Sequence, residues 1–168
     1  VVGMPLNVCV DIVRGLAPAG SAPPKVEVLF DAEGMFGADL VLRVPDIGLQ
    51  LRFEPHSQRL RMIDVFDLTK LLLSYSGRKF GGSLGGHSFF EIYNLFGPTF
   101  PGAFDAELNM YLLHYRGLSF AFPIPAEFQS LYAVSDELPI ELPDSSSPLV
   151  ARLFVFAGSD LRAPALPP

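Results

Sequence analysis

Positive charge is scarce in this chain. Its 12 lysines and arginines stand against 18 aspartates and glutamates, a formal net charge of −6 over 168 residues. Binding to nucleic acid calls for clustered cations on a neutral or basic background, so nucleic acid is not the expected partner. The acidity favours solubility instead. Cysteine is nearly absent: Cys9 is alone and cannot close an internal disulfide. Set among apolar residues on a predicted helix, it reads as a buried thiol, compatible with a reducing cytosol. No apolar run approaches the roughly 18 residues needed to cross a bilayer, and the N-terminus lacks the basic region of a signal peptide. The chain opens Val1-Val2-Gly3 without an initiator methionine and so reads as an excised fragment.

Apolar matter is abundant. Hydrophobic residues make up 49% and charged ones 18%, with 15 phenylalanines, which is a globular composition. The length fits one domain, or two small units sharing a core. The surplus of apolar residues predicts an exposed patch for a partner or for the remainder of a longer protein.

Gly3 to Gly15 reads as a first helix, with Pro5 suited to its initial turn and Leu6, Cys9, Val10 and Val13 on one face. A connector rich in proline, alanine and glycine leads to strand-like runs at Val26–Phe30 and Leu40–Val44. Leu49, Leu51 and Phe53 then alternate with Gln50 and Arg52, Pro55 and Ser57 make a turn, and Arg59–Phe66 pairs back. Leu71–Tyr75 adds a strand before a glycine-rich break. A second helix over Ser88–Phe96 presents Phe89, Ile92, Tyr93 and Phe96 at the spacing of the first, and Gly97-Pro98 ends it. Strands follow at Asn109–Tyr115 and Leu118–Phe122, then an acidic, proline-punctuated loop and a final strand at Leu149–Phe156. Helix then strands is thus stated twice, an internal repeat of elements, with units at residues 1–80 and 81–168 sharing one globular domain. Strands in series without intervening helices predict an α+β fold with helices on one face of an antiparallel sheet.

No local pattern for catalysis is present. His56, His87 and His114 lack metal-ligand spacing, Ser83, Ser88 and Ser119 lie in no nucleophile elbow, and no catalytic residue, metal or cofactor is expected. The stretch Gly81-Gly82-Ser83-Leu84-Gly85-Gly86 could turn amides toward a phosphate at the second helix, but its spacing fits neither the dinucleotide nor the Walker pattern, and it reads as a connector. Arg52, Arg59 and Arg61 form the densest basic region, with Lys70, Arg78 and Lys79 nearby. Two readings stand for them: a solvated sheet face with charge pairs to Glu54 or Asp64, or a patch that meets lipid phosphates or an acidic partner.

At Gly3–Leu6 (GMPL), Leu51–Lys70 (LRFEPHSQRLRMIDVFDLTK), Phe96–Gly102 (FGPTFPG) and Tyr115–Pro125 (YRGLSFAFPIP), the chain resembles the phagosome assembly factor 1 family, plant or algal members in particular. Family members are longer, so the resemblance covers their N-terminal half. It implies a non-enzymatic cytoplasmic protein acting with a WD-repeat partner at the phagophore assembly site. It assigns no binding residues. The Gly-Met helix start and paired strands are also similar to small bacterial helix-plus-meander envelope domains, in fold only.

The resulting expectation is an adaptor or scaffold in autophagy and membrane trafficking. Apolar surface around Phe100 and Phe104 would dock a large partner, and Arg52, Arg59 and Arg61 would add charge complementarity or contact a phosphoinositide membrane. The alternative is a small-molecule-binding module or enzyme with a pocket between helix and sheet; a buried cluster of polar groups with shifted pKa values in a concave site would favour it.

Overall fold

The computed structural model describes residues 1–16, 21–29, 39–84, 86–99, 102–134 and 137–158. In chain order the elements are α1 (Leu6–Gly15), β1 (Glu27–Leu29), β2 (Leu40–Val44), β3 (Leu49–Phe53), β4 (Leu60–Val65), β5 (Leu72–Tyr75), β6 (Arg78–Gly81), α2 (Phe89–Phe96), β7 (Ala103–Asp105), β8 (Met110–Tyr115), β9 (Leu118–Pro123), α3 (Gln129–Val134) and β10 (Arg152–Phe156). Eight strands form one sheet in the order β1-β2-β3-β4-β10-β9-β8-β7, and β5 and β6 form a separate ribbon. Every neighbouring pair is antiparallel, so the fold is α+β as the strand series predicts.

The strand order reads inward from both edges as one meander meeting another at the β4–β10 pair. Each meander is tied to its own helix in the same way. Pro5, before α1, bridges Arg59, and Ser88, before α2, bridges Leu149. On either side of these bridges the Leu60 amide donates to the Met4 carbonyl and the Val150 amide to the His87 carbonyl, both at 2.8 Å. The helix starts are thus hung on the beginning of the last strand of each meander.

Alternation along the strands sends one set of side chains under the helices. Cys9 and Val13 of α1 pack on Leu42, Val44, Leu51 and Phe53. Phe89 and Ile92 of α2 pack on Tyr111, Leu113, Phe120 and Phe122. Leu49 and Ile63, near the middle of the sheet, touch both clusters. On the opposite face Met62, Leu112, Ala121 and Phe154 form a smaller third cluster. A bulge makes this possible: Arg52 pairs with Met62 but Phe53 with Leu60, so Arg61 is the extra residue. Leu60 and Met62, two apart, therefore face opposite sides of the sheet.

Several elements differ from the sequence expectation. β6 occupies part of the predicted glycine-rich break, because Ser76 and Gly77 both take positive φ and close a two-residue hairpin turn. This ribbon straddles residue 80, and the eight-stranded sheet runs across that position. β7 and α3 are additional elements, α3 lying inside the acidic loop. α1 starts at Leu6, with Pro5 still extended as its cap. β10 begins at Arg152; Leu149 contributes only the bridge to Ser88.

Candidate functional site

The three arginines of the β3–β4 hairpin do not form one patch. Leu51 and Phe53 point under α1, which sends Arg52, between them, to the opposite face. There it is half-buried. Burial lowers the pKa of its guanidinium, while the nearby carboxylates of Asp64 and Asp39 act in the opposite direction. Arg61, on the bulge, is exposed and reaches Asp39 at 3.3 Å. Arg59 stands apart, donating to the Gly3 carbonyl at 2.9 Å and so fastening the N-terminal segment to the start of β4.

A partner the hairpin does not contain completes the network. Arg152 of β10 donates from Nη2 to Asp64 Oδ2 at 2.6 Å, with Nε 3.4 Å from Oδ1, and its guanidinium lies 4.9 Å from the centre of the Phe154 ring. Asp64 is fully buried, so its charge is held by neighbours rather than water. Arg52, Arg61 and Arg152 thus gather around Asp39 and Asp64 at the joint between the meanders. Arg43, farther out on the sheet, lies 4.8 Å from the centre of the Phe66 ring. Glu54, one of the expected acidic counterparts, serves the turn instead. Its carboxylate accepts from the amides of His56 at 3.1 Å and Ser57 at 2.6 Å. Bonding to the Ser57 hydroxyl and amide, together with the His56 amide, holds its pKa down to about 2.

Of the two phenylalanines expected to dock a partner, Phe104 is half-buried and packs against the α2 core from β7, and Phe100 lies outside the described residues. Large apolar side chains are exposed elsewhere: Val8, Ile12 and Leu16 along α1, Leu72 and Tyr75 on the ribbon, and Phe90 and Leu149 beside the start of α2.

The nearest approach to a catalytic pair is on the sheet face away from the helices. His114 Nδ1 lies 2.7 Å from Ser119 Oγ across the β8–β9 pair. Burial lowers the His114 pKa and so favours neutral imidazole, and its Nε2 has no hydrogen-bond partner. Ser119 is fully buried. Among the described residues no carboxylate is bonded to the imidazole as a triad would require, and the serine is closed to a substrate. The glycine stretch is also occupied locally. The Gly81 amide donates to His87 Nε2, while the Ser88 hydroxyl caps the Glu91 amide and the Glu91 carboxylate answers the Ser88 amide.

A cavity of about 280 Å³ does lie between helix and sheet. Its walls are aliphatic and sulfur-bearing side chains, among them Cys9, Val13, Leu51 and Leu153; the Cys9 thiol is the ionisable side chain among them, its pKa pushed up by burial and drawn down by the ammonium of Val1, which also lines the cavity. It is therefore not the polar concave site that would signal catalysis. Among the described residues no three His, Cys, Asp or Glu side chains are grouped to hold a metal ion, and no helix is long and apolar enough to cross a membrane.

Compared with known proteins, the chain matches the family described as Phagosome assembly factor 1 over residues 1–168. It is 40% identical to a PHAF1 protein of Arabidopsis thaliana over 135 residues, covering 80% of this chain and 33% of that protein. To a PHAF1 protein of Drosophila melanogaster it is 37% identical over 145 residues, covering 84% and 33%. A Caenorhabditis elegans PHAF1 protein is 29% identical over 131 residues, covering 78% and 30%. The chain thus spans about a third of the length of these relatives. No solved structure matches.

Proposed function

The chain belongs to the phagosome assembly factor 1 family, and from that premise we propose that it acts as a non-enzymatic adaptor in phagosome and autophagosome assembly. The observation that carries this reading is the family match along the whole chain, joined to identities of 40% and 37% with plant and fly members. The chemistry of the surface agrees with it. The serine–histidine pair His114–Ser119 is buried, and the large apolar side chains left outside are scattered aliphatic and aromatic residues, which suit contact with macromolecules better than turnover.

In this reading the protein is cytoplasmic, works with a WD-repeat partner and is recruited peripherally to the phagophore assembly site. Arg59 and Arg61, both exposed, contribute charge complementarity to the partner or contact phosphoinositide head groups. Affinity purification of the full-length protein from cells is the test. A WD-repeat protein should co-purify, and the double substitution Arg59→Glu, Arg61→Glu should reduce its recovery. Recovery unchanged by the double substitution removes the charge role, and no WD-repeat protein in the wild-type eluate removes the adaptor reading. Flotation with phosphoinositide liposomes separates the lipid contact from the protein contact.

A further inference from the structure

We propose that the cavity between α1 and the middle of the sheet is a binding site for one hydrocarbon chain, the acyl chain of a single-chain lipid. This rests on the cavity alone and stands apart from the adaptor reading. Its floor comes from strands of both meanders, with Leu51 and Ile63 from one and Leu153 from the other. α1 roofs it with Ile12 and Val13, and Leu73 of the β5–β6 ribbon closes one side. The cause is in the helix. α1 carries Cys9 and Val13 at the two positions where α2 carries Ile92 and Phe96, counted from the bridged residues Pro5 and Ser88. Phe96 reaches Phe120 and Tyr75 at ring separations of 4.8 and 4.2 Å, filling space that Val13 cannot.

Size and chemistry decide the occupant. Protein interiors rarely keep voids larger than a water molecule, and an aliphatic cavity of roughly 150 Å³ in another protein already binds benzene. Water meets only the weak sulfur groups of Cys9 and Met4 among the side chains of these walls. A peptide strand seated there would lose its backbone hydrogen bonds against these walls. A hydrocarbon chain has no such needs. The space is larger than the roughly 150 Å³ that takes benzene, which leaves room for a run of several methylenes. Ile12 and Leu16 line the cavity yet are 51% and 52% exposed, so it opens to solvent beside α1 and a head group would remain in water.

The test is displacement of a naphthylamine fluorophore, which brightens in apolar surroundings, by hexanoate, octanoate, decanoate and dodecanoate. Affinity should rise about fourfold per methylene until the chain outgrows the cavity. Ile12→Asp, on the half-exposed wall, should weaken decanoate binding about tenfold or more, and Asn7→Asp, outside the lining, should leave it unchanged. Should Ile12→Asp fail to fold by circular dichroism, Leu16→Asp takes its place with the same expected loss. Lysophosphatidylcholine binding as tightly as decanoate points to a phospholipid source, and decanoate binding alone to free fatty acid. The proposal is overturned by no displacement, by displacement independent of chain length, or by unchanged binding in the charged variants. A dimer that Ile12→Asp converts to monomer, with no fatty acid bound, assigns the cavity to a second copy and equally overturns it.

Discussion

Where each long helix meets the sheet, α1 presents Leu6, Cys9, Val10 and Val13, and α2 presents Phe89, Ile92, Tyr93 and Phe96. The spacing is the same, the bridges that anchor the two helices are the same, and at every position the α1 side chain is the smaller. Under α2 the rings meet directly, Phe89 lying 4.9 Å from Phe122 and 5.9 Å from Tyr111 between centroids. Under α1 a cavity remains. One backbone arrangement therefore supports a sealed aromatic core and an open aliphatic one, because periodicity sets where a helix docks while side-chain volume sets how completely it closes.

The largest test of this contrast is truncation at the first core position of each helix. Phe89→Ala should cost about 4 kcal/mol in chemical denaturation, since it empties a fully buried aromatic site. Leu6→Ala, at the matching but only half-buried position, should cost about 1 kcal/mol. Equal losses would mean that the two cores do not differ in closure. The joint between the meanders comes next. Arg152→Ala leaves the buried Asp64 carboxylate without its shortest partner and should destabilise by about 3 kcal/mol. Arg59→Ala, which loses only an exposed bond to a carbonyl, should move the denaturation midpoint little.

Smaller effects follow from the helix starts and the turns. Ser88→Ala removes a capping box and should cost about 1 kcal/mol, whereas Pro5 makes no side-chain cap for α1 to lose. The smallest effect is at Glu54, in the tight turn between β3 and β4; the corresponding β9–β10 connection is a long excursion containing α3. Its pKa is lowered from 4.5 to about 2, so its contribution is present above pH 4.5 and lost as pH falls through about 2. Thermal melts of wild type and Glu54→Gln should differ near neutral pH and converge below about pH 2. A difference that persists in acid would assign the effect to something other than the carboxylate.

What was readable in advance followed strong local patterns. The apolar spacing of α1 and α2, the alternation Leu49-Leu51-Phe53 and Leu118-Phe120-Phe122, and the turn at Pro55 each carry their own physical signal. β6 was hidden because its residues Arg78 and Lys79 are exposed on a two-stranded ribbon and show no apolar alternation. β7 has three residues and α3 six, too few for a period to emerge. The candidate site was legible in part: Arg52 and Arg61 do share a charged neighbourhood, but the residue nearest its centre, Arg152, lies 88 positions from Asp64. Nothing in the local sequence around Arg152 announces that pairing.

The amino-acid order alone determined the class of this protein. Its two periodicities dictate helices and antiparallel strands, its islands of residues carry the family, and its charge and single cysteine limit the chemistry. Tertiary structure decided which surfaces matter. Only the β4–β10 pairing brings Asp64 to Arg152, only the bulge at Arg61 turns Leu60 and Met62 to opposite faces, and only the seating of α1 over three strands from two meanders encloses the cavity. Local pattern is written in neighbouring residues, whereas burial, charge pairing and empty volume depend on which distant segments share a strand pair and how much space their side chains leave.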